Sequence, residues 1–482
     1  MFSLKKTVIA IALAFPIAAS AQSMQAIKAE LDALKAKVQQ LEGLVDQANA
    51  KADKAATTAS ATPAAGGFDD DTRAEFNRVK VKSEGLEDQI EASGFKGLKI
   101  SGFMDPTYIY NQRQHTSSFI FMKNFNDANT GAGGTNAGYA YDNAYFGSAL
   151  IRFEKEMEGG TKWLLELMPH KSYGDGGGFN SGSIVNQAFV SIPMGSLNDK
   201  FLAGQIGSWP GYEYELGAGA TSKKTITNNL LFDFTEPTFM TGVGYEHIAG
   251  PWDSKAIIGN LNNGRITDRR APALHWRVDY AKGEFQGFGF SGLHGKTSGT
   301  TSVNYLETDA YFTRGNLNLQ GQLEAGLAKG SAFNGGDAKW IGLSTLASYK
   351  ITSRLEGIAR FDYIKNDKNG GGTPNLVFPA GCQTADLATD PTGATPMASN
   401  CGDYRNGFGP GIDNATGLVA DPNKGANRYA LTLGLDYAMT PNAMLKFEVR
   451  HDRATQNTFF DVGSSTFKKD NTLFGASTVV SF

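Results

Sequence analysis

From Lys96 to Phe482, polar and apolar side chains alternate with a period of two. In SRLEGIARFDYIK, Leu355, Gly357, Ala359, Phe361 and Tyr363 share one face, while Arg354, Glu356, Arg360 and Asp362 share the other. RYALTLGLDY, MLKFEVRHD and NLNLQGQLEAGL repeat the design. Successive side chains of an extended chain point to opposite faces, so each segment is an amphipathic strand. Such strands run to about ten residues, the length that crosses a bilayer when tilted. Segments of this kind occur at 96–110, 142–157, 161–168, 184–192, 199–206, 238–248, 251–262, 272–282, 285–294, 303–314, 316–328, 338–350, 353–365, 427–438, 441–453 and 472–482. They predict an all-β transmembrane barrel of about sixteen antiparallel strands, an even number as a closed bacterial barrel requires.

The connections provide a second pattern. Short links at 158–160, 193–198, 249–250, 283–284, 315, 351–352 and 439–440 alternate with long ones at 111–141, 169–183, 207–237, 263–271, 295–302, 329–337, 366–426 and 454–471. Outer-membrane barrels have short periplasmic turns and long external loops, so the first strand should start on the periplasmic side. A soluble β-sandwich would also alternate polar and apolar residues. Its loops need not alternate in length, however, and its apolar face should be bulkier than these mixtures of Gly, Ala, Leu and Phe.

A different grammar precedes residue 93. MFSLKKTVIAIALAFPIAASAQS has Lys5 and Lys6, an apolar run from Thr7 to Ala19 and the small-residue pattern Ala19-Ser20-Ala21. That predicts a secretory signal peptide over 1–21. Over 22–56, Met24, Ile27, Leu31, Leu34, Val38, Leu41, Val45, Ala48 and Ala52 fall three and four apart. This heptad seam predicts an α-helical coiled coil, here periplasmic, whose simplest partners are copies of the same chain. A solvated single helix remains the alternative, because Ala48 and Ala52 weaken the far end. A small-residue linker occupies 57–71, a short second helix 72–92, and the barrel 93–482.

Composition narrows the function classes. The chain has 482 residues, with 58 Gly, 17 Tyr and 31 Phe, and its net charge is only -3. The mean hydropathy is -0.29. No charge pattern indicates a nucleic-acid partner. Cys382 and Cys401 are the only two cysteines and lie in an exported chain, so a disulfide stapling the loop 366–426 is expected rather than a metal site. No cofactor or metal is expected.

If the apolar face meets lipid, the polar face lines an aqueous lumen. Parity then makes Arg152, Glu154, Lys162, Glu166, Arg277, Asp279, Glu307, Asp309, Glu324, Arg354, Glu356, Arg360, Asp362, Asp436, Lys446, Glu448 and Arg450 pore-lining candidates, with both signs intermingled. The loop 207–237 is a candidate constriction, with Tyr212, Glu213 and Glu215 close to Lys223 and Lys224. Its apolar Leu230, Leu231 and Phe232 suggest burial inside the barrel or against a neighbour, and an ordinary external loop is the competing reading. Catalytic motifs are incomplete: HGKTSG at 294–299 lacks the first glycine of a phosphate loop, and GFSGL at 289–293 misplaces the second glycine of a nucleophile elbow. An enzyme is not expected.

The segments SGFMDPTYIYN (101–111), IVNQAFVSIP (184–193), KFLAGQIGSWPGYEYE (200–215), NNLLFDFTEPTFMTGVGYEH (228–247) and the final TLFGASTVVSF resemble the OmpL-like β-barrel porins of Gram-negative outer membranes. More distantly, the chain is similar to phosphate-selective porins that carry an N-terminal coiled coil. The resemblance implies passive diffusion of small hydrophilic solutes or ions across the outer membrane, commonly by a homotrimer. It also implies that Phe482, on an alternating strand, is read by the barrel-assembly machinery. Phosphate selectivity does not carry over, because the inferred lumen has at least as many acids as bases. Two other readings stay open: a structural barrel whose coiled coil tethers it to the cell wall or a periplasmic partner, and a barrel-borne hydrolase. Conductance, retention on peptidoglycan and hydrolysis lost with one Ser or His discriminate the three.

Overall fold

A computed structural model describes residues 75, 77–82, 97–113, 115–121, 146–168, 184–207, 209–213, 223–237, 239–261, 272–283, 285–296, 302–371, 409–416, 419–461 and 463–482. The chain divides into two compact units, Met1–Ser93 and Gly94–Phe482. In the first, Glu75 and residues 77–82 are helical and exposed, whereas the expected signal peptide, coiled coil and linker lie outside the described residues.

The second unit is a closed barrel of sixteen antiparallel staves. Its first stave is made of β1 (Leu98–Met104) and β2 (Thr107–Asn111), and its second of β3 (Thr116–Ile120) and β4 (Ala149–Glu156). Then follow β5 (Lys162–Leu167), β6 (Val185–Pro193), β7 (Asp199–Gly207), β8 (Phe239–Ala249) and β9 (Trp252–Leu261). The wall continues through β10 (Ala273–Ala281), β11 (Gln286–Lys296), β12 (Ser302–Arg314), β13 (Leu317–Ala328) and β14 (Ala338–Lys350). It is completed by β15 (Leu355–Lys365), β16 (Arg428–Thr440) and β17 (Ala443–Ala454), with a small hairpin of β18 (Phe459–Asp461) and β19 (Thr466–Lys468) before β20 (Asp470–Ser481). Every sequence segment expected to be a strand contains one. Closure comes from β20, which pairs with β17 on one side and with β1 and β2 on the other.

Three details depart from the periodicity. Pro106 has no N–H to give a ladder, and the first stave breaks there into β1 and β2. The expected strand 142–157 starts only at Ala149, and β3, inside the expected loop 111–141, pairs with β2 above it. The hairpin β18–β19 lies in what the sequence suggests is a plain loop, held by the Arg113–Asp461 ion pair at 3.1 Å.

The alternation sorts side chains as lipid and water would. On β16, Leu431, Leu433 and Leu435 are 49%, 54% and 47% exposed on the outside, whereas Arg428, Thr432 and Asp436 are buried inside. Near the short-turn end, Trp252 and Tyr280 meet at 4.8 Å and Tyr280 and Phe288 at 5.1 Å, an outer aromatic cluster such as barrels place at a bilayer interface. At the closing seam, Phe482 and Gly102 exchange backbone hydrogen bonds of 3.1 Å each way. A Cβ on Gly102 would come within 2.8 Å of the Phe482 ring, so only glycine fits there.

This sorting predicts that Leu433→Arg, on the outer face near the middle of β16, costs about 2–4 kcal/mol of barrel stability in a bilayer. Urea titration of protein folded into lipid vesicles checks it, and an unchanged midpoint would mean that this face does not meet lipid.

Candidate functional site

Between β7 and β8 the chain turns into the barrel instead of standing above it. Residues 209–213 and 223–237 are mostly buried, and their partners are inward-facing side chains of the far wall. Backbone inside a barrel must still satisfy its N–H and C=O groups, and here strand side chains supply what a sheet would have supplied.

Arg360 of β15 is the main anchor. Its guanidinium is fully buried and lies 3.1 Å from Glu213 and 3.1 Å from its neighbour Asp362. It also donates to Thr225 Oγ1 at 2.6 Å, Thr227 O at 2.8 Å and Asn228 O at 2.7 Å. A planar fork of five donors suits such a convergence of acceptors. Glu448 of β17 does the converse, accepting from Ile226 N at 2.6 Å, Thr227 N at 3.1 Å and the Thr227 hydroxyl. Arg450 reaches Asn228 O at 3.1 Å, Lys446 donates to Lys223 O, and Lys224 pairs with Glu356 at 2.9 Å. Tyr212 shares a hydrogen bond with Ser344 of β14, and Trp209 O accepts from Arg277 of β10 at 2.6 Å.

A short helix, Leu230–Phe234, sits at the centre of the segment. Asn229 caps it by accepting from Phe232 N at 2.8 Å. Leu230, Leu231 and Phe234 enter an apolar cluster with Ile257, Ala273, Leu293, Val303, Ala338, Trp340, Ile364 and Ala430. The inner faces of β9 to β17 are therefore polar around Arg360 and Glu448 but apolar where they receive this helix. Phe232 points the other way, onto Phe103, Leu150 and Met168 of the opposite wall. Phe234 lies under Arg428, whose guanidinium carbon is 5.1 Å from the ring centre. The segment thus touches both sides of the lumen.

Burial acts on the charges it carries. The Glu213 carboxyl is pushed up chiefly by burial, against the pull of Arg360. Lys223 is pushed down by burial, and Asp233 is pushed up to about 6 by the same cause.

The expected lumen residues fall into several groups. Arg360, Asp362, Glu356, Lys446, Glu448, Arg450 and Asp436 cluster around the segment, with Lys446 3.8 Å from Asp436. Arg277 pairs with Asp279 and Asp309, each at 2.7 Å, and lies 3.7 Å from Glu307. Arg152 and Glu166 form a separate buried pair at 2.8 Å on β4 and β5, with Asn186 and Gln187 also donating to Glu166. Lys162 pairs with Glu156 at 3.0 Å at the short-turn edge, and Glu154 is half-buried. Arg354 is in the exposed turn before β15 and is not on the inner face. Lys223 and Lys224 do not act as a pair: Lys223 donates to Ile226 O at 2.8 Å, whereas Lys224 goes to β15. Glu215, Cys382 and Cys401 lie outside the described residues.

The polar contacts are completed by Gln322 and Asp452, on the polar faces of their strands but outside the pore-lining candidates, and by Thr225, Thr227, Asn228 and Glu236 of the loop, to which parity does not apply. Asp452 bridges Arg428 at 2.6 Å and Arg450 at 3.1 Å. Nothing in the sequence marks which loop side chains meet which strand.

Residues 97–482 match the family model described as "Putative beta-barrel porin-2, OmpL-like". No curated protein matches the sequence. Among solved structures, the chain is similar to the trimer form of OmpT, an outer membrane protein of Vibrio cholerae, at 11% identity over 80% of this chain and 99% of that one, with a TM-score of 0.47. It is similar to an anion-selective porin from Comamonas acidovorans at 11% identity, with coverage of 80% and 99% and a TM-score of 0.47. For the outer membrane channel DcaP of Acinetobacter baumannii the identity is 12%, the coverage 80% and 97%, and the TM-score 0.44.

Proposed function

Because the chain belongs to the OmpL-like beta-barrel porin-2 family, whose model spans the whole barrel, we propose that it is an outer-membrane channel for passive diffusion of small hydrophilic solutes or ions. The observation that carries this reading is the pair of stretches 209–213 and 223–237, held across the lumen by strand side chains of both signs. A structural barrel gains nothing from an inner face of buried arginines and carboxylates, which are costly to desolvate. A channel gains a narrow, charged passage whose width is set by how the segment is docked.

The passage carries both charges, and its bases are engaged by carboxylates or backbone carbonyls. Arg360 faces Glu213 and Asp362, and Lys224 faces Glu356. That pattern supports a weakly selective pore and gives no support to phosphate selectivity. In this reading the residues 22–56 form a periplasmic coiled coil that joins copies of the chain, three being the expected number, and Cys382 and Cys401 staple an external loop.

Swelling of proteoliposomes in neutral sugars of increasing size tests the proposal. Entry of monosaccharides with exclusion of larger oligosaccharides is expected. Absence of swelling with every sugar and of ionic current, together with retention on peptidoglycan, would contradict it in favour of a tether.

A further inference from the structure

The far end of the lumen segment meets the wall acid against acid. Glu236 is 1% exposed and follows the short helix to β13, where Glu324 is the register partner of Glu307 on β12. One of its oxygens accepts from Gln322 Nε2 of β13, and the other, Oε2, has no donor among the described residues. Facing it are Glu324 of β13, Glu307 of β12 and, from its own segment, Glu213. Glu324 accepts from the Tyr305 hydroxyl at 3.0 Å and Glu307 from the Ser291 hydroxyl at 2.8 Å. Among the described residues, Glu307 Oε1 and Gln322 Oε1 also have no hydrogen-bond partner, whereas Thr235, next to Glu236, hydrogen-bonds Glu324.

The base on the neighbouring β10 is Arg277, which lies 3.7 Å from Glu307 and is also engaged by Asp279, Asp309 and the Trp209 carbonyl. His275 of β10 packs against Trp209 with ring centres 4.9 Å apart, and Lys255 of β9 lies 5.5 Å from the same ring and near Asp253 and Asp279. The seam therefore holds more buried carboxyl groups than cations. Neighbouring carboxyls with this little compensation cannot all ionise while they stay in contact.

We propose that this seam is a proton-operated latch on the lumen segment. While Glu236 carries its proton, the segment stays docked on β12 and β13; when Glu236 ionises against Glu324 and Glu307, that end of the segment is released and the passage widens. The widening rests on the channel reading, but the latch itself does not.

The titration behaviour agrees. Burial first, and the Glu324 charge second, push the Glu236 carboxyl well above its usual range. In a released segment Glu236 meets water and titrates near its ordinary value of about 4.3. The docked form thus binds the proton more tightly. Docking is strongest below that ordinary value, and its equilibrium constant falls roughly tenfold per pH unit as pH rises toward the raised value.

Amide hydrogen exchange of residues 223–237 reads the latch without needing current. Full-length wild type is compared with Glu236→Gln and Glu324→Gln at equal pH, so that intrinsic exchange chemistry cancels. Near pH 5 all three should exchange alike, whereas near pH 9 the wild type should exchange at least about tenfold faster than either variant. Equal rates in all three across this range would overturn the latch. So would restored protection of the wild type near pH 9 on adding calcium chloride alone, which would assign the seam to a bound cation. A non-conducting barrel with pH-dependent exchange would contradict the channel and keep the latch; a conducting barrel with pH-indifferent exchange would do the opposite.

Discussion

Arg360→Ala should raise the single-channel conductance several-fold while leaving the barrel assembled. The guanidinium is fully buried and binds Glu213, Thr225, Thr227 and Asn228 of the lumen segment as well as Asp362 of its own strand. Removing it leaves two carboxylates buried without their cation and strips acceptors of their donor. Breaking a buried pair in this way costs about 3–5 kcal/mol. The strand ladders on either side of Arg360 do not depend on it, since β15 pairs with β14 and β16 through its backbone. The lost energy therefore falls on docking of the segment more than on the wall. Arg360→Lys should rescue little, because a point charge on a flexible stem cannot reproduce a fork that reaches several acceptors. Planar-bilayer recordings check the prediction, and conductance equal to wild type in Arg360→Ala would show that the segment does not limit the passage.

Leu231→Asp should have a comparable effect through different physics. Leu231 is completely buried among apolar side chains of the inner wall. Replacing it forfeits about 1.5–3 kcal/mol of apolar burial. It also places a carboxylate among mostly apolar side chains, at a further cost of several kcal/mol unless the helix leaves. Leaving is the cheaper response, so the helix should undock, the conductance should rise and the barrel should still form. Leu433→Arg also sets a charge against an apolar surroundings, but its surroundings are lipid. That change should weaken the barrel and spare the passage, and opposite outcomes for the two variants would invert the assignment of inside and outside.

Much of the wall could be read from the chain because lipid on one side and water or polar groups on the other impose alternation with little noise. RYALTLGLDY on β16 is the clearest case: every second residue is outward and apolar. The alternation could not show that Pro106 splits the first stave, since a missing backbone donor leaves the side-chain pattern intact. Nor could it show β3, whose TSSFI is too short and too mixed to stand out from a loop.

The lumen segment was only half legible. Leu230, Leu231 and Phe232 in an otherwise polar loop signal burial, but the same run would suit an interface with a neighbour. The reason it lies inside is distributed over strands far away in sequence, in the apolar inner positions Ala273, Leu293, Val303 and Ala338 that receive the helix. Parity placed Arg360 and Glu448 on the inner face and could not reveal that they grip Thr227 from two sides. Lys223 and Lys224 are adjacent in the sequence and close to Glu213 and Glu215, whereas Lys224 is drawn to Glu356 on a distant strand.

The most direct test is the ionic current of the purified wild-type protein in a planar bilayer, recorded beside a variant lacking residues 223–237. The account predicts discrete ohmic steps for the wild type, a small reversal potential under a potassium chloride gradient, and steps several-fold larger for the deletion. Steps of equal size in the two proteins, or no current from either, would contradict it.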